Sequence, residues 1–150
     1  GAGQKQALVT LNERTSRYSM MAHVPFKTAQ AVSEAMISLL TPFAADVHTL
    51  TTDNGKEFAQ HERIAAELGA DFFFAHPYAS WERGANENMN GLIRQFFPKK
   101  MGFESITPDD IELATHRLNH RPRKCLGFKT PHEVFMEQIH SRHTVVALQT

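Results

Sequence analysis

Two carboxylates, Asp53 and Glu87, stand where a sequence can put acids to chemical use. Asp53 follows a short β-rich run, Val47 to Thr52, and opens Asp53-Asn54-Gly55. In a sheet covered by helices, a residue at the carboxyl end of a strand projects into the crevice where such folds bind ligands. The same tripeptide is also an ordinary turn, with Asn54 capping the next helix. Glu87 lies in a stretch of helical period. At about 100° per residue, Glu87, Asn90, Gly91 and Arg94 share one side, and Met89, Leu92, Ile93 and Phe96 the other. The apolar side must pack, which leaves the Glu87 side polar, with room above Gly91. A plain solvated helix face is the competing reading.

Two carboxylates brought by separate elements to one sheet edge suit a hard divalent cation. Mg²⁺ takes oxygen ligands and is often held by one or two carboxylates plus substrate phosphates. Two such ions about 4 Å apart can activate an attacking hydroxyl and stabilise a leaving oxygen in phosphoryl transfer. Structural zinc is a poor alternative, because Cys125 is the only cysteine. The nine histidines are scattered, and His116 and His120 lack the pattern of a zinc protease and read as surface residues.

The elements that must position these acids alternate in period. Ala7–Leu11 and Tyr18–Val24 are strand-like, joined by a polar link, and predict an antiparallel hairpin. Val32, Ala35, Met36, Leu39 and Leu40 form one helical stripe after Thr28, closed by Pro42. Val47–Thr52 reads as a strand, and Phe58, His61, Ile64, Ala65 and Leu68 as a helix that stops at Gly69. Asp71–Ala75 is an unbroken apolar run, as in a strand covered on both faces. Helices follow through Phe96, from Thr107-Pro108 with Ile111, Ala114 and Leu118, and from the capping box Thr130-Pro131-His132-Glu133 through Phe135. This order predicts an α/β fold with a mixed sheet and flanking helices.

The 150 residues suit one domain, and no apolar run approaches the roughly 20 residues of a membrane-spanning helix. The formal net charge of zero argues weakly against a dedicated nucleic-acid binder. Its distribution matters more: Arg94, Lys99, Lys100, Arg117, Arg121, Arg123, Lys124 and Lys129 crowd the later half. An acidic site set in a basic surface also sums to nothing. A single cysteine points to a reducing cytoplasm.

Longer motifs carry a family resemblance. Thr52-Asp53-Asn54-Gly55-Lys56-Glu57-Phe58 and His76-Pro77-Tyr78-Ala79-Ser80-Trp81-Glu82-Arg83-Gly84-Ala85-Asn86-Glu87-Asn88 resemble the second and third acidic motifs of DDE transposases. Asp53 and Glu87 stand 34 positions apart, which fits the spacing of that group. Asn90 to Lys99, Leu118 to Lys124 and Leu126 to Pro131 continue the match. The chain is similar to the insertion-sequence-thirty family of bacterial transposases, kin to the retroviral integrase core, over roughly Gly1 to Glu137.

The resemblance implies a ribonuclease-H-like fold whose five-stranded mixed sheet carries three acids binding two Mg²⁺ or Mn²⁺ ions. Asp53 corresponds to the second acid and Glu87 to the third. The implied reaction is hydrolysis at transposon ends, then attack of the freed 3′-OH on target DNA, with a homo-oligomer as the active complex and a cytoplasmic, nucleoid-associated setting. The first acid should lie on a strand just before the Ala7 hairpin. No Asp or Glu precedes Ala7, and Glu13 falls in the hairpin link. The reading is therefore of a catalytic core over residues 1–140, truncated at its amino end and lacking its first central strand, with 141–150 as a tail. Losing about three buried apolar side chains removes roughly 5–9 kcal/mol, against a domain's net stability of about 5–15 kcal/mol. That predicts a marginal fragment, inactive alone, or one that fills the gap by rearrangement or swapping.

Candidate DNA contacts follow from loop position, helix face and charge. Trp81 and Arg83 precede Glu87 in a loop, and Trp81 can stack on a base or simply anchor the loop. Asn90 and Arg94 share the Glu87 face; Arg94 can reach a phosphate or pair along its own helix. Lys99, Lys100, Arg121, Arg123 and Lys124 are backbone-contact candidates, with solvated surface as the alternative. Two other functions compete: a ribonuclease-H-like DNA nuclease without strand transfer, and a non-catalytic DNA-binding remnant of a truncated transposase.

Overall fold

Past Asn12 the chain folds back because one carboxylate organises the turn. Glu13 is fully buried and accepts hydrogen bonds from the Thr15 and Ser16 amides at 3.2 and 2.7 Å. Strand β1 (Ala7–Glu13) then pairs antiparallel with β2 (Ser19–Val24), in register from Ala7↔Val24 to Asn12↔Ser19. Glu13 thus ends a strand and is not part of the link. The computed structural model describes residues 7–52, 60–74, 91–98, 105–141 and 146–149.

The helices form where local signals agree. Helix α1 (Ala29–Leu40) is capped by the Thr28 hydroxyl, which accepts from the Ala31 amide at 3.1 Å, and buries Val32, Met36 and Leu40. A 3-10 turn containing Pro42 ends it and leads into β3 (Val47–Thr52). Helix α2 (His61–Leu68) stops at Gly69, whose φ of 65° is left-handed. Strand β4 is Asp71–Phe74, and helix α3 spans 91–96. Helix α4 (Pro108–Asn119) starts with Thr107 and Asp110 capping each other's amides at 3.1 and 2.9 Å. In α5 (Pro131–Ser141) the Thr130 hydroxyl accepts from Glu133 at 3.1 Å.

The sheet has five strands in the order β2-β1-β5-β3-β4, and its middle departs from the sequence reading. Strand β5 (Val146–Gln149), in the segment expected as a tail, holds the central place in the sheet. It runs antiparallel to β1 (Asn12↔Gln149, Glu13↔Leu148) and parallel to β3 (Leu50↔Leu148, Thr51↔Gln149). The reason is hydrogen bonding: β1 and β3 each present one free edge inside the molecule, and buried amides and carbonyls must be paired.

A second departure concerns β4. It pairs with β3 only, and Phe73 and Phe74 are 52% and 37% exposed, so the run is not covered on both faces. An edge strand has one neighbour, and an apolar run does not reveal its position in the sheet.

Alternation along the hairpin divides the core in two. Val9, Leu11, Met20 and Val24 face one way, with α1, Ile64 and Leu68 of α2, Leu50, and Phe135 of α5. Met21 faces the other way, packing with Ile93 and Phe97 at α3 and with Ile111, Ala114 and Leu118 of α4. The molecule is a helix–sheet–helix sandwich.

Candidate active site

Three parallel strands, β5, β3 and β4, finish at one rim. Thr52, the last residue of β3, is 1% exposed and level with Phe74, the last of β4; Gln149 closes β5 level with Thr51. Thr52 thus ends β3 at the carboxyl-end rim, the side on which α/β sheets collect ligands.

Asp53 and Glu87 themselves lie outside the described residues, as do Trp81, Arg83, Asn90, Lys99 and Lys100. What is described is the frame around them. Helix α3 continues the stretch that carries Glu87, and it packs as the periodicity demands: Ile93 and Phe97 are buried, while Gly91, Arg94 and Gln95 are exposed. A Cβ built on Gly91 meets nothing within 4 Å, so the polar face stays open there. By residue type an Asp and a Glu offer oxygen ligands alone, the donor chemistry that a hard divalent cation takes. Among the described residues no group of three or more His, Cys, Asp or Glu is arranged to hold a metal.

Arg94 bonds at 3.3 Å to the carbonyl of Phe97, covering the end of its own helix. Arg121 reaches Gln95 of α3 at 3.3 Å. Arg123 donates to the Leu118 carbonyl at 3.1 Å, and its Nε is buried with no partner. Burial first, then the charge of Arg121, hold the Arg123 guanidinium below its ordinary pKa, and Arg17 acts in the same direction. Lys124 is exposed at the start of a 3-10 turn.

His116 and His120 are exposed and stacked at 4.1 Å, as surface residues. With His132 they flank a cavity of about 690 Å³ between β2, α4 and the end of α1. None of its lining residues belongs to β3, β4 or α3.

The fold and rim define a class: a mixed α/β domain of the integrase catalytic-core, ribonuclease-H-like kind. The catalytic core domain of BIV integrase superposes on it with a TM-score of 0.72, covering 93% of this chain and 91% of that one at 24% identity. Within that class the chain is a homologue of the insertion-sequence-thirty and related insertion-sequence transposases. It is 43% identical to the transposase for insertion sequence element IS4351 of Bacteroides fragilis, over 98% of this chain and 45% of the relative. It is 38% identical to the transposase InsI for insertion sequence element IS30A of Escherichia coli, over 85% of this chain and 33% of the relative. The chain thus spans less than half of the curated relatives it matches. No family model matches it. Among the described residues no helix is long and apolar enough to cross a membrane.

Proposed function

We propose that this chain is the catalytic part of a DNA transposase, with Asp53 and Glu87 as two of the acids that hold a pair of Mg²⁺ or Mn²⁺ ions against a DNA phosphodiester. The observation that supports it most is the rim: β5, β3 and β4 end together, and position 53 follows directly from buried Thr52. Glu87 stands 34 positions later, on the stretch leading into a helix whose polar face is open at Gly91. The named relatives are transposases of insertion sequences, which supports DNA transposition as the setting.

The bound ions supply charge neutralisation at the scissile phosphate and activation of the attacking hydroxyl. The chain's own part is to fix two carboxylates on separate elements: a strand end locked by its neighbours, and a helix clamped through Ile93 and Phe97. No side chain acts as a nucleophile. Water attacks first, and the freed 3′-OH attacks target DNA second. Trp81, Arg83, Asn90, Arg94, Lys99, Lys100, Arg121, Arg123 and Lys124 are the proposed DNA contacts, and the complete complex is a homo-oligomer.

The central strand is Val146-Ala147-Leu148-Gln149, without a carboxylate, and the Glu13 side chain is occupied by the hairpin amides. Residues 1–150 alone are therefore proposed to bind Mn²⁺ weakly and to leave DNA uncut. Calorimetric titration with Mn²⁺ tests the reading: wild type binds, and Asp53→Asn or Glu87→Gln abolishes the heat. Equal binding by all three would end the assignment. Strand-transfer assays on the longer protein then separate a transposase from a nuclease that only cleaves.

A further inference from the structure

Phe73 is the most exposed of the three phenylalanines on β4, at 52%. Its neighbours Phe72 and Phe74 share a ring cluster with His61 of α2, at centroid distances of 5.8 and 5.0 Å from it. Among the described residues Phe73 has no such ring partner.

Strand alternation explains the difference. Leu50 and Phe72 are level with each other and belong to the core shared with α1 and α2. Thr51 and Phe73, the next level pair, therefore stand on the opposite face, the one that carries α3 and α4. On that face the described core joins α3 and α4 to Leu8 of β1 and Met21 of β2, and takes in no residue of β3 or β4. Thr49 and Thr51 are accordingly only half-buried, and Asp71 and Phe73 are exposed.

This bare strip runs up to the rim. Phe73 precedes Phe74, which is level with Thr52 at the end of β3. At about 3.3 Å per residue and about 4.8 Å between strands, the Cα atoms of Phe73 and Thr52 are roughly 6 Å apart. On the same face of the sheet, α3 keeps its polar side open at Gly91.

We propose that Phe73 is a stacking platform for DNA, on which an unpaired base of the strand held at the rim lies flat, with the Thr49 and Thr51 hydroxyls turned to the sugar–phosphate backbone. A phenyl ring with no helix above it is hydrated at a cost, and the π-face of any base removes that cost without regard to sequence. Threonine hydroxyls are neutral donors of the kind that position a DNA backbone. Asp71, exposed and level with Thr49, repels phosphate at the end of the strip away from the rim, which directs the backbone past Thr51 toward Thr52. Single phenylalanines scattered over a surface need no such role. Phe73 differs from them by its register beside the strand end. The choice of DNA as occupant rests on the proposed function; stacking itself needs neither a carboxylate nor a metal ion.

Binding measured in EDTA keeps the test independent of the metal site. Fluorescence anisotropy compares a labelled duplex carrying a single-stranded overhang with its blunt counterpart, and 2-aminopurine in the overhang reports stacking through quenching. Wild type should prefer the overhang and quench the probe. Phe73→Leu, which keeps an apolar side chain on the strand, should weaken overhang binding about tenfold, leave blunt binding unchanged and abolish the quenching. Phe73→Tyr should restore both. Equal overhang binding by wild type and Phe73→Leu, or no DNA binding by wild type, would overturn the platform. Reduced self-association of Phe73→Leu in sedimentation, with DNA binding unaltered, would overturn it too and make the ring a contact between copies. Asp53→Asn and Glu87→Gln should keep the overhang preference in EDTA. Mn²⁺ binding retained by those variants ends the catalytic reading alone, so the two can fail separately.

Discussion

Asn119 and Ser19, a hundred residues apart, exchange two buried hydrogen bonds: the Ser19 amide donates to Asn119 Oδ1 at 2.8 Å, and Asn119 Nδ2 donates to the Ser19 carbonyl at 2.9 Å. The primary amide imitates a neighbouring strand and satisfies one residue of the edge strand β2. It thereby joins the end of α4 to the base of the hairpin. Asn119→Ala leaves a buried N–H and a buried C=O unpaired, at about 1–3 kcal/mol each. The urea midpoint should fall by the equivalent of about 2–6 kcal/mol with its m-value unchanged. Asn119→Asp keeps the acceptor but sets a buried carboxylate oxygen against the Ser19 carbonyl, and should cost at least as much as Asn119→Ala.

The central strand offers the sharpest test of the fold. Leu148 is in register with Glu13 on one side and Leu50 on the other. In a central strand every amide serves one ladder or the other, so Leu148→Pro must break pairing and should cost about 3 kcal/mol or more. A thermal melt decides. An unaltered Tm would show that 146–149 contributes nothing to the sheet.

Left-handed backbone predicts opposite signs at two positions. Arg17→Gly removes Cβ strain at φ 65° and should stabilise by about 1 kcal/mol, while Gly69→Ala at the same φ should destabilise by about as much. A Cβ at Gly69 meets nothing within 4 Å, so that cost is conformational and not a clash. Denaturant midpoints of both variants suffice.

Burial raises the pKa of the Tyr18 hydroxyl, whose ring stacks on Phe135 at 4.2 Å. The fold favours neutral tyrosine, so this contribution is complete below the unfolded value of about 10 and disappears as pH climbs through the higher folded value. Alkaline melts should show a fall in Tm above about pH 10 that Tyr18→Phe reduces. An identical alkaline profile for both proteins would remove Tyr18 as the cause.

Local signals were readable because they act within a few residues. Thr28, Thr107 and Thr130 cap helices through hydroxyls placed three positions ahead of an amide, and Ile111, Ala114 and Leu118 are all buried, as their spacing required. The motifs around Asp53 and Glu87 pointed to the transposase relatives and the integrase-core fold. The exposure of β4 and the position of β5 were not readable, since strand order depends on which edges meet in space.

The sequence alone therefore determined most of the elements other than β5, several of their caps and apolar faces, and the spacing of two acids, all of which follow from backbone geometry and side-chain period. Tertiary structure decided that Val146–Gln149 closes the sheet between β1 and β3, and that the hairpin meets the end of α4. Those outcomes depend on satisfying buried backbone groups between distant segments, a constraint that acts only once the chain is folded.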